Sequence, residues 1–159
     1  MMSPCGWPIK VEKVRFPLEL LVPQLGHMTF NKFGGSIEIP LAPFELPDHG
    51  TIETKILIDC ITLPTHNPEL LSGKTFSFPL NPADGCAEGS VYMGYHHHPV
   101  DLLHLGFVKF ANGEMDVKFA VGIAFDFEGL SAAADAEYDN IGWQFDAKIV
   151  FSPAFSKMN

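Results

Sequence analysis

The chain has 159 residues, 47% of them hydrophobic, with 14 phenylalanines against 3 tyrosines and 2 tryptophans. That length suffices for one domain whose core needs neither disulfides nor metals, and the composition excludes a disordered chain. Nineteen acidic against 10 basic residues leave a formal charge of -9, which argues against a nucleic-acid partner and against attraction to an anionic membrane surface, because both require basic patches.

Cys5, Cys60 and Cys86 are too few and too far apart for a disulfide framework and form no CxxC pair. Cys60 falls in an apolar strand pattern, where it reads as a small buried hydrophobe. The first eight residues show no basic stretch leading into an apolar run, and no uninterrupted apolar run approaches the length of a membrane span. A cytoplasmic location is the expectation.

In chain order, residues 13–20 alternate Val14, Phe16, Leu18 and Leu20 with polar neighbours, and Pro17 marks this strand as an edge. Strands over 28–33 and 36–41 flank Gly34-Gly35, a hairpin signal. Residues 51–63 place Ile52, Ile56, Ile58 and Cys60 on one face. Short strands follow at 74–80 and 90–95, separated by the turn chemistry of Asn81-Pro82-Ala83-Asp84-Gly85. Residues 102–110 are apolar on both faces, the mark of a central strand. Asn112-Gly113 then turns the chain into its clearest segment.

Over residues 117–128 every odd position from Val117 to Phe127 holds a large apolar side chain, and the even positions hold Lys118, Ala120, Gly122, Ala124, Asp126 and Glu128. Period-2 alternation places the two sets on opposite faces of a strand about 40 Å long. Residues 141–151 repeat the pattern and predict an antiparallel partner, joined by a loop with a helical turn at Ala132-Ala133-Ala134. No segment has helical periodicity. The expected fold is therefore all-β, a single domain over 1–159. An antiparallel β-sandwich of about eight or nine strands is the first choice, and a closed up-and-down β-barrel is the alternative.

Chemistry-bearing clusters are sparse. Tyr95-His96-His97-His98-Pro99-Val100-Asp101, followed by His104, concentrates imidazoles beside a carboxylate. Neutral imidazole suits a transition metal, so His96, His98, Asp101 and His104 form the candidate metal-ligand set. Against it stands a solvated, histidine-rich loop, since recognised zinc spacings are absent and His27 or His66 would have to arrive by folding. Asp126, Glu128, Asp135, Glu137 and Asp139 offer oxygen ligands for calcium, although charges that keep a hairpin end soluble explain them better. No phosphate-binding glycine motif and no GxSxG elbow occurs, and Cys86 neighbours the histidines only in sequence.

The even face of 117–128 is different in kind. Ala120, Gly122 and Ala124 leave it flat and nearly bare, open to a covering segment, another sheet or a partner. The function expected is thus binding or protein interaction without catalysis, with an unidentified protein or small ligand as partner, or self-association. The alternatives are a metal-binding protein or metal-dependent enzyme built on the histidine cluster, and a lipocalin-like carrier, which requires a closed barrel with an apolar interior cavity.

Overall fold

The computed structural model describes residues 12–47, 49–125 and 136–152. In chain order the strands are β1 (Glu12–Val14), β2 (Gly26–Asn31), β3 (Gly34–Pro40), β4 (Phe44–Leu46), β5 (Gly50–Ile52) and β6 (Lys55–Ile61). After the one-turn helix α1 (Pro68–Leu71) come β7 (Thr75–Ser77), β8 (Ala87–Met93), β9 (His96–Ala111), β10 (Glu114–Ile123), β11 (Ala136–Tyr138) and β12 (Ile141–Phe151). Among the described residues, no helix is long and apolar enough to cross a membrane.

The fold is all-β, and its main sheet closes on itself. Strands β2, β3, β6, β8, β9, β10 and β12 each pair antiparallel with the next, and β12 then returns to β2. With seven strands in an up-and-down meander, the first and last must run the same way, so the closing pair is parallel. It is also short, Ile149–Phe151 against Gly26–Met28. The extra strand β7 lies beside the second half of β9, continuing the side that β8 occupies along the first half. The sandwich expectation is thereby corrected in favour of the barrel, because among the described residues the main sheet closes on itself and only the small pairs β1–β11 and β4–β5 stand apart.

Closure follows from two features of the longest strands. β10 and β12 pair antiparallel as expected, with Phe119 opposite Phe145 and Val121 opposite Trp143. The odd residues of β10 face the interior, where Val117, Phe119 and Val121 are buried. In β9 the inward set changes parity twice. His98, Val100 and Leu102 point inward, then Leu105 and Phe107, then Phe110 beside Met115. Register shifts at Leu103 and Val108 mark two β-bulges, each adding one residue and strengthening the local twist. Apolar residues on both faces of 102–110 therefore reflect these parity changes, and the strand is central as expected, paired with β8 and β7 on one side and β10 on the other.

A third shift lies in β6, between the pairs Ile37–Ile58 and Gly35–Ile61. There Cys60 takes a left-handed conformation (φ 61°), and the inward set passes from Ile56 and Ile58 to Ile61. Cys60 is consequently exposed, contrary to the buried position its sequence pattern suggested.

The N-terminal expectation also changes. Strand character ends at Val14, and Pro17 C=O accepts from Leu20 N–H, so Leu18–Leu20 form a 3-10 turn. Phe16 is wholly buried, stacked on Phe125 at 4.7 Å and edge-on to Tyr138, an aromatic plug over one region of the interior. Gly34 and Gly35 belong to β3 and not to the turn, which is formed by Lys32 and Phe33, with Asn31 Oδ1 accepting from Phe33 N–H. Their lack of a side chain serves packing. A Cβ at Gly35 would lie 2.6 Å from Met28 Cε, and one at Gly34 would lie 2.8 Å from the Ile61 carbonyl oxygen. The helical turn expected at Ala132-Ala133-Ala134 lies outside the described residues.

Candidate binding face on the barrel wall

Strand alternation decides where each candidate ligand sits. His98 is wholly buried inside the barrel, its ring 4.8 Å from that of Phe125. His96, half-buried, pairs with the inward-facing Met93 at the end of β8. Asp101 pairs with Glu88 and Gly122 on the outer surface, and His104, beyond the Leu103 bulge, is exposed opposite Ala120. The sheet itself thus separates His98 from Asp101 and His104. Among the described residues, no three His, Cys, Asp or Glu side chains gather closely enough to hold a metal ion. His66 stacks on Phe30 at 4.0 Å and His27 lies exposed opposite Glu38, so neither completes the set. Of the acidic cluster, Asp126, Glu128, Asp135 and the Glu137 side chain lie outside the described residues.

Two serine–histidine pairs escaped the sequence pattern, because each joins different strands. Ser77 Oγ and His104 Nδ1 hydrogen-bond to one another at 2.8 Å, as do Ser90 Oγ and His97 Nε2 at 2.6 Å. The His97 ring also stacks on Tyr92. Hydroxyl and imidazole here occupy the outer surface of β7, β8 and β9. The Cys86 thiol is held above its ordinary pKa by partial burial, then by the nearby charges of Glu88 and Asp101. It therefore stays protonated at neutral pH, a poor state for a nucleophile.

The outer face of β9, β10 and β12 carries the most distinctive surface. Its cross-strand rows read Asp101–Gly122–Gly142, His104–Ala120–Gln144, Gly106–Lys118–Asp146 and Lys109–Asp116–Lys148. Small residues fill the first three rows at Gly106, Ala120, Gly122 and Gly142. A Cβ built at Gly122 would meet nothing within 4 Å, so this position has room for a side chain. Large or charged side chains stand around the strip, and three depressions of about 660, 480 and 460 Å³ run along it. The first reaches Leu25 and Val108, the second His104 and Gln144, the third Leu80 and Leu103. Lys118 and Asp146 line both the first and the second, so these two adjoin.

Electrostatics divide the strip. At one end Lys148 donates to Asp116 at 2.7 Å, and that bond together with the carboxylate charge raises the lysine pKa. Lys118 stands directly opposite Asp146 across the hairpin. At the other end the glycine row is uncharged but for Asp101. The face thus grades from paired charges to bare backbone. No family model, curated protein or solved structure matches this chain.

Proposed function

We propose that this chain is a binding domain that takes an extended segment of a partner protein along the outer face of β9, β10 and β12. The observation that carries this reading is the open strip at Gly106, Ala120, Gly122 and Gly142, bordered by exposed Val108 (46%) and Leu80 (59%). A long patch without side chains lets another backbone come close, and apolar rims supply the desolvation that favours association. The ten residues of β10 run about 34 Å, room for a comparable length of extended chain.

The carrier reading draws less support. A closed barrel exists, but core side chains such as Met28, Ile58, Phe107 and Val117 pack inside it at 0–2% exposure, as expected for a barrel of so few strands. Nor does a metal function gain support from a ligand set that the sheet divides between its two faces.

The test is Gly122→Arg, which places a long side chain where nothing now stands. Partner capture by the purified full chain should fall by at least tenfold, while its thermal unfolding stays within about 2 °C of the wild type. Capture unchanged in a folded Gly122→Arg variant would contradict the reading.

A further inference from the structure

The parallel seam that closes the barrel uses only the last three residues of β12. Between Ile141 and Lys148, β12 pairs with β10 on one side, and among the described residues no strand pairs with it on the other. Hydrogen-bond direction alternates along a strand as side chains do, so the residues facing this open edge can be named. Ser152 N–H donates to Met28 C=O, which shows that the even residues of β12 turn their main-chain groups away from β10. The same alternation holds across β10, where Ala124 N–H donates to Pro99 C=O on the opposite side. Gly142, Gln144 and Asp146 therefore direct their N–H and C=O groups to the open edge, and all three residues are exposed.

We propose that this edge is the dimerisation site of the protein, with β12 of a second copy added antiparallel about a two-fold axis at Gln144. Unpaired main-chain donors and acceptors in a row are completed by an extended backbone, and an identical strand is the simplest one to supply it. The two-fold at Gln144 uses the open stretch fully, placing Gln144 against Gln144, Gly142 against Asp146, and Trp143 against Phe145 of the second copy. Its charge pattern is compatible, since no like charges oppose one another. A two-fold at Asp146 would set two carboxylates face to face. On the inner face, Trp143 and Phe145 already stack at 4.0 Å within one chain, with Phe145 half-buried, and the second copy extends that aromatic cluster. Main-chain pairing at the edge is independent of partner docking on the face, so either can hold without the other.

Sedimentation of the full chain tests the register directly. The wild type should sediment at twice 17.5 kDa at concentrations up to about 100 µM, with dissociation on dilution by mass action. Gly142→Asp sets a carboxylate against Asp146 at both symmetric contacts and should raise the dimer Kd about tenfold. Gly142→Lys sets an ammonium there and should lower it several-fold. Space exists for either side chain, because the nearest atom to a Cβ at Gly142 is 3.9 Å away. Gln144→Pro removes the central donor and should give a monomer, whereas Gln144→Ala keeps the backbone and should remain dimeric. A wild-type monomer at about 100 µM, or equal shifts in the two Gly142 variants, would overturn the proposal.

Discussion

Replacing Gly89 by alanine is a severe test of how β6 and β8 meet in the barrel wall. Gly89 lies in β8 between the buried Ala87 and Val91, directly opposite Ile58. An added Cβ would stand 1.6 Å from the Leu57 carbonyl oxygen, 2.5 Å from its carbon and 2.8 Å from Ile58 Cα. All three are backbone atoms, so no side-chain rotation relieves the clash. Restoring ordinary contact requires the strands to separate by more than 1 Å, roughly enough to carry 2.9 Å hydrogen bonds past the limit of useful geometry. Overpacking costs about 1–3 kcal/mol, and two weakened main-chain bonds add about 0.5–1.5 kcal/mol each. The expected loss is thus about 2–6 kcal/mol, read from urea unfolding at constant m-value. Gly122→Ala is the matched control, since its new methyl meets nothing, and it should be neutral or stabilising by up to about 1 kcal/mol. If Gly89→Ala unfolds within about 1 kcal/mol of the wild type, the close approach of these strands is not real.

Other predictions follow from the two faces and the bulges. Phe119→Ala should cost about 3–5 kcal/mol in urea unfolding, while the neighbouring Ala120→Arg should stay within about 0.5 kcal/mol, because one side chain is core and the other faces outward. Cys60→Gly should stabilise the protein by about 0.5–1 kcal/mol in the same assay, since a left-handed residue with a Cβ costs about 1–2 kcal/mol and glycine entropy returns only part of the gain. Alkylation of Cys86, followed against pH in a chain with the other two cysteines changed to serine, should rise at higher pH than for a free cysteine. Partial burial and the flanking carboxylates disfavour the thiolate, so a midpoint at or below the free-thiol value would refute that environment.

How much of this was legible in the sequence depends on the range of the forces involved. The alternation of β10 and β12 is local, and it predicted their faces and their antiparallel pairing, although β10 runs Glu114–Ile123 and leaves out Ala124 and Phe125, which the alternation included. The turn at Asn112-Gly113 was equally plain, since both residues adopt positive φ there. Bulges were not legible, because an extra residue at Leu103, Val108 or Cys60 is set by how neighbouring strands twist together. That omission misplaced Cys60 and hid the parity changes behind the apolar residues on both faces of 102–110. It also matters for the histidines, since the Leu103 bulge sets the outward position of His104 opposite Ala120. Sandwich and barrel share the same local pattern and differ in one three-residue parallel seam between distant segments. The bare even face was visible as Ala120, Gly122 and Ala124, but its extension across Gly106 and Gly142 required the register of three strands.

A partner seated on the outer face of β9, β10 and β12 would lie within reach of a crosslinker on β10. A photo-crosslinking residue at Ala120 tests this directly, with a second at Phe33, an exposed position on the β2–β3 turn, as reference. One discrete protein adduct is expected from position 120, absent from position 33 and lost when Gly122→Arg is added. Identical adducts from both positions, or one at position 120 that survives Gly122→Arg, would contradict it.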